Sequence, residues 1–288
     1  MLDSLGLPEH LRERCIVKSE GDARPSFVVH WMRSAIRLDE CPTFDTARLA
    51  ANSLGVPLLV YHGIDERYKY ASYRHHRFLL EGAADVADRA DSLRVDHLVH
   101  VSREGSRGPY LLDLAKESGL VVTDMVDLQP WNEWAEKVSE VCCLIEVDSH
   151  CVLPRPVFGK SMDRPFKFRK ATDAEMRSRV GRNWPIVRDE VRRMPDSWSP
   201  PFEPIDVRLE MSKDGGAGLL SKCDIDPTVV AITGVTGGSS YAIEHWENWC
   251  KSGIRSYHMK RNNAAPVSYT HLRAHETVLD LVCRLLLE

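Results

Sequence analysis

The sequence predicts an α/β fold organised around a doubly wound, parallel five-stranded sheet. Two observations carry this. Five short runs are almost wholly apolar: PSFVVHWM (25–32), VPLLVYHG (56–63), HLVHVS (97–102), LVVTDM (120–125) and CLIEVDS (143–149). Runs without alternation belong to strands covered on both faces, as in a parallel sheet flanked by helices. Between them lie segments whose apolar residues recur three or four apart, the helical period. Crossovers of that length form right-handed β-α-β units.

Each element follows in order. After the first strand, FDTARLAANSLG places Phe44, Ala47, Ala51 and Leu54 on one face, and Gly55 suits a C-terminal cap. After the second strand, residues 73–91 form a long helical pattern with Phe78, Leu79, Gly82, Val86 and Ala90 near one stripe. LLDLAKESG follows the third strand and WNEWAEKVSEVC the fourth. Residues 25–155 therefore read as one α/β domain, preceded by an N-terminal extension at 1–24. From Arg155 to Arg193 the chain turns basic, with Phe158, Phe166, Phe168 and Trp184 interleaved. Residues 195–216 have the composition of an exposed linker, which closes a basic helical segment and linker at 156–216. A further helical pattern in SSYAIEHWENWCKSGIRSY sets Tyr241, Ile243, His245, Trp246, Trp249 and Ile254 toward a core. No repeat at solenoid periods is present.

Composition bounds the function. The chain has 288 residues, 43% hydrophobic and 28% charged, with net charge -4. That is globular and excludes a globally basic nucleic-acid binder, while leaving room for a local basic face. No run approaches a membrane span, and the N-terminus lacks a secretory pattern, so a cytoplasmic location (nuclear in a eukaryote) is expected. The eight cysteines contain no C-x-x-C pair, so free thiols are expected rather than a disulfide framework or a structural zinc site. His75 and His76 are adjacent on a helix and diverge, which makes a poor chelate.

No P-loop, nucleophile elbow, H-E-x-x-H or dinucleotide fingerprint is present. Asp124 and Asp148 end the fourth and fifth strands, where parallel sheets bind ligands. Each reads either as a ligand-facing carboxylate or as a cap for the loop that follows. The basic stretch 155–193 reads either as a phosphate-contacting face or as a solvated helix surface. Trp246 and Trp249, three apart, read first as core packing.

The order of motifs resembles the photolyase/cryptochrome family, and most closely its class II cyclobutane pyrimidine dimer photolyases. FVVHWMRSAIR carries Trp31, Met32 and Arg33 of the family's V-x-Y-W-M-R strand, with His30 in place of Tyr. YASYRHHRFLLEGAADVA supplies Arg74, His75, Arg77, Phe78, Leu80 and Gly82, and EVDSHCVLP supplies Val147, Asp148, His150, Val152 and Pro154. Asp39 is kept after the first strand, but Glu40 and Cys41 stand where Asn is usual. The resemblance extends over residues 10–265.

The resemblance implies an α/β domain that can hold an antenna chromophore of unspecified identity, then an all-α domain that holds FAD. Residues 217–265 resemble the opening of that second domain. By position Tyr257 matches a tyrosine that contacts FAD, and Arg261, followed by Asn262, matches a basic residue near DNA. The family's phosphate-binding serines, flavin-facing residue and lesion pocket correspond to positions after Ala265. No catalytic or metal-ligating residue is carried over. The implied activity is light-driven repair of pyrimidine dimers by electron transfer from reduced FAD, with damaged DNA as partner and a monomeric chain. A shortened chain of this kind is expected to be inactive by itself. Two alternatives are a cryptochrome-like photoreceptor without repair and a generic nucleotide-binding α/β module. Residues 266–288 match nothing before them and are expected to be a non-native tail.

Overall fold

The computed structural model describes residues 1–21 and 24–260. Arg261, Asn262 and the segment 266–288 lie outside the described residues. Six strands form one sheet: β1 (Cys15–Ser19), β2 (Phe27–Met32), β3 (Leu58–Ile64), β4 (Asp96–Val101), β5 (Gly119–Asp124) and β6 (Cys143–Val147), in the order β1-β6-β5-β2-β3-β4. The five expected strands are parallel, with Val28 beside Leu58 and Val121 beside Leu144. The sixth corrects the expectation. β1 comes from the stretch read as an N-terminal extension, and it pairs antiparallel with β6 through Cys15 and Val147. Its alternating burial is that of an edge strand with one face in water, a weaker signal than the apolar runs of the interior strands.

Alternate residues of each interior strand feed opposite layers. Val28 and Met32 pack in one core with Phe44, Val60, Val122 and Ile145. Phe27, Val29 and Trp31 pack in the other with Tyr61, Leu114, Val121 and Leu144. The short helix α1 (Glu9–Arg12) precedes β1. Helices α2 (Pro42–Leu54) and α3 (Tyr73–Leu93) cover the first core, and α4 (Tyr110–Ser118) and α5 (Trp131–Ser139) the second. Pro42 starts α2, where a missing N–H costs nothing, and Gly55 ends it in the left-handed region at φ 70°. Phe44, fully buried at the start of α2, fills the space under it, and its truncation to Ala costs about 3–5 kcal/mol.

Past β6 the chain forms α6 (Arg155–Phe158), α7 (Pro165–Arg179), α8 (Val207–Asp214), α9 (Ala217–Leu220), α10 (Ser239–Ser252) and α11 (Ile254–Lys260). The stretch from Trp184 to Phe202, which joins the end of the basic segment to the start of the expected linker at 195–216, is a strap against the α/β layers. Trp184 Nε1 donates to Asp45 Oδ2 at 2.8 Å, and Leu58 N donates to Arg192 O at 3.1 Å. Trp198 meets Phe27 edge-on, and Phe202 is buried against Tyr61 and Tyr110. Polar, proline-rich composition hid two aromatic anchors, Trp198 and Phe202, that find partners only after the sheet forms.

α10 is tied to α3 through carboxylates. Asp85 accepts from Ser239 N at 2.8 Å and Ser239 Oγ at 2.9 Å, and Glu81 accepts from Gly237 N at 2.7 Å. Gly237 runs so close to the Phe78 carbonyl that a Cβ has no room. Of the α10–α11 residues expected to face a core, Trp249 is buried, whereas Ile243, Trp246 and Ile254 are about half exposed.

Candidate functional site

A cleft of about 420 Å³ opens at the carboxyl ends of β2, β3 and β4. In a doubly wound sheet this edge is where crossovers diverge and leave space for ligands. Trp31, Tyr61 and His62 come from strand ends, His75 and Leu79 from the first turns of α3, and Trp131 and Trp134 from α5. Trp131 and Trp134 meet with centroids 6.2 Å apart, and Tyr68 lies 6.5 Å from Trp131. Tyr68 also stacks parallel on His76 and shares a short hydrogen bond with His75 Nδ1. The walls are therefore mostly flat and aromatic.

The floor is polar. The Arg33 guanidinium lies 4.4 Å from the Trp31 ring centroid and donates to the carbonyls of Trp131 and Asp124. Burial lowers its pKa, opposed by Asp124 and Glu146. Its Nε is buried without a partner, as is Nδ1 of His62. Burial, then His30, pushes the His62 imidazole down to about 4, so it is neutral near pH 7. A buried polar atom without a partner costs about 1–3 kcal/mol, so both atoms have reason to meet a ligand's polar edge.

The strand-end aspartates settle as caps. Asp124 accepts from Ser34 N at 3.1 Å, Ala35 N at 3.0 Å, Ser34 Oγ at 3.1 Å and Thr43 Oγ1 at 2.6 Å. Burial alone would raise its pKa, but His150, Thr43 and the Ala35 amide outweigh that and hold it below the usual carboxylate range. Asp148 accepts from the amides of His150, Cys151 and Arg155 at 2.9–3.0 Å. Ser34 also touches His150 Nε2 at 2.9 Å. Its one proton goes to ionised Asp124, so this pair is not an activated nucleophile.

The basic stretch is partly neutralised: Arg155 pairs with Asp127, Lys167 with Asp163, Arg177 with Asp173 and Arg179 with Glu13. Tyr257 sits on α11, away from the cleft lining, with its ring edge-on to Trp249 at 5.5 Å. Trp249 in turn stacks on Trp246 at 5.2 Å. Among the described residues no group of three His, Cys, Asp or Glu could hold a metal ion. Seven cysteines among them are free thiols. No helix of the described residues is long and apolar enough to cross a membrane.

No protein-family model matches the chain. A deoxyribodipyrimidine photo-lyase of Methanothermobacter thermautotrophicus is 32% identical over 145 residues, covering 50% of this chain and 32% of that protein. In fold, a cryptochrome of Synechocystis superposes with TM-score 0.57 at 14% identity, over 88% of this chain and 52% of that one. The chain is thus similar in sequence to a photo-lyase and in fold to a cryptochrome. A class III photolyase of Agrobacterium tumefaciens superposes with TM-score 0.52 at 15% identity, over 90% of this chain and 52% of that one. At these identities the two solved structures establish the fold of this chain and nothing more. It spans about half the length of those two and 32% of the curated relative.

The cleft itself was not legible beforehand. Trp31, Arg33 and His75 stand in motifs, Tyr61 and His62 in an apolar strand run and Trp131 and Trp134 in a helical pattern, but nothing local marks these residues or Tyr68 as a ligand site. The available signal was general: parallel strands place their ligand site at carboxyl ends.

Proposed function

We propose that this chain contributes the chromophore-holding α/β unit of a class II-like DNA photolyase that repairs pyrimidine dimers in light. The observation that carries the proposal is the aromatic cleft with two buried, unpartnered nitrogens on its floor, Arg33 Nε and His62 Nδ1. A bound antenna chromophore supplies light absorption. Trp31, Tyr61, Trp131 and Trp134 would hold its flat faces, Arg33 would donate to an oxygen on its edge, and the cleft would shield it from water. Ligand sites are mostly apolar with a few convergent polar groups, and this one follows that pattern. Damaged DNA, as the partner, and FAD, as the electron donor, belong to the same proposal for the whole protein. No step through FAD is derived from the described residues.

Photolyase is favoured over a cryptochrome-like receptor because the 32% identical relative is a photo-lyase, whereas the cryptochrome likeness lies at 14% identity. A generic nucleotide-binding module is disfavoured by Asp124. Its carboxylate takes the Ser34 and Ala35 amides in the loop after β2, where a phosphate would need them.

The test has two arms. Titration of the purified chain with flavin mononucleotide as a probe should quench tryptophan fluorescence with one-to-one stoichiometry, and Trp134→Ala should weaken it. No quenching at saturating probe would refute the cleft assignment. A chimera joining residues 1–260 to the remainder of the Methanothermobacter photo-lyase should remove pyrimidine dimers in light but not in darkness. A folded chimera with a filled cleft and intact dimers would favour the receptor instead.

A further inference from the structure

Helix α7 has an inner and an outer face with different chemistry. On the inner face Phe168 meets Phe158 edge-on at 5.2 Å, Thr172 is buried, and Arg179 pairs with Glu13 at 2.6 Å. On the outer face stand Phe166, Arg169 and Lys170, which share one side of the helix at spacings of three and four. Phe166 is 63% exposed. Arg169 and Lys170 are exposed, and neither has an ion pair or hydrogen bond through its side chain among the described residues. Lys160, just before the helix, is exposed and unpaired in the same way.

The charge there runs against the rest of the chain. Residues 155–193 hold twelve Lys and Arg against five Asp and Glu, in a protein of net charge -4. Unpaired cations beside an exposed ring suit a polyanion with flat faces to offer. Duplex DNA presents phosphates but keeps its base faces stacked, so it could not use Phe166. A lipid surface would need a broad apolar stripe, and one exposed phenylalanine is too little. Unpaired nucleotides offer both phosphates and bare base faces.

We propose that the outer face of α7, formed by Phe166, Arg169 and Lys170, is a contact surface for single-stranded nucleic acid. Phe166 stacks on a base while Arg169 and Lys170 contact flanking phosphates. None of the three lines the cleft, so binding here is independent of any chromophore, light or lesion.

The experiment is fluorescence anisotropy of a labelled oligothymidylate with the full chain, in darkness, over a range of salt. Phe166→Ala should weaken binding about tenfold with the salt dependence unchanged. Arg169→Ala with Lys170→Ala should reduce the slope of log affinity against log salt by about 1.4, since each phosphate contact on a single strand contributes about 0.7. Lys116→Ala with Lys222→Ala, two exposed unpaired cations elsewhere, should change neither. Melting midpoints equal to the parent's would show that these surface variants fold. The proposal is overturned if the control pair weakens binding as much as the α7 pair, or if Phe166→Ala has no effect. It is also overturned if an undamaged duplex competes as well as the single strand, or if phosphatidylserine vesicles bind in preference through Phe166.

Discussion

Acid should weaken this fold through two imidazoles buried beneath α2 and α3. His30 is 0% exposed and His62 2% exposed, and both nitrogens of His30 and Nδ1 of His62 lack partners. Burial pushes each down to about 4; the Asp124 charge partly opposes this at His30, and His30 reinforces it at His62. Phe44 from α2 lies 5.7 Å from the His30 ring, and His97 from β4 lies 6.2 Å from His62. In the unfolded chain both imidazoles titrate near their ordinary value of about 6.5. Their neutral form is therefore compatible with folding above about pH 6.5. Stability falls as pH drops from about 6.5 toward about 4, because only the unfolded chain takes up the protons readily. At about pH 5 the unfolded imidazole is almost fully protonated and the folded one about one-tenth so. At about 1.36 kcal/mol per unit, each histidine then costs about 2 kcal/mol, and the pair about 4 kcal/mol. The Asp45 carboxyl, raised to about 6 by burial, works in the opposite direction. Comparing variants cancels it. The assay is urea unfolding of the parent and of His30→Leu with His62→Leu, at about pH 7.5 and about pH 5. The double variant should lose about 4 kcal/mol less than the parent between the two conditions, and should be no less stable at the higher pH. An equal acid loss in both proteins would refute the assignment of the loss to these residues.

Other outcomes follow from the same geometry. Asp124→Ala strands the Ser34 and Ala35 amides and should cost about 3–5 kcal/mol in urea unfolding, with Asp124→Asn less damaging; a loss under about 1 kcal/mol would show that the loop does not depend on this cap. Purified 1–288 should carry far less than one FAD per chain, because Tyr257 packs edge-on against Trp249 and does not line the cleft, and one tyrosine cannot enclose a cofactor of that size; flavin absorbance near one equivalent would contradict this. Burial pushes the Cys15 and Cys41 thiols up to about 11 and about 12, so neither should react with Ellman's reagent near pH 8 until the protein unfolds. Rapid native labelling of Cys41, read by peptide mass spectrometry, would count against its burial.

What the sequence determined by itself was the periodic part of the fold. Strands buried on both faces must be continuously apolar, and helices covering them must be apolar at every third or fourth residue, so β2 to β6 and α2 to α5 are written locally. The motif order around Trp31, Arg74 and Asp148 likewise carries the resemblance to photolyases and cryptochromes. Tertiary structure alone decided the rest. β1 has half its residues in water and gains its partner from β6, more than a hundred residues later, so its five residues carry little pattern of their own. The strap from Trp184 to Phe202 reads as basic segment and then linker because its anchors are single aromatics whose pockets belong to α2, α4 and the sheet. Asp124 and Asp148 were ambiguous until the amides around them were placed. The cleft gathers Trp31, His62, Tyr68 and Trp134 from three β-α units, and no spacing along the chain encodes a meeting produced by sheet order. Local periodicity reports burial; it does not report which distant side chains share a ligand-sized space.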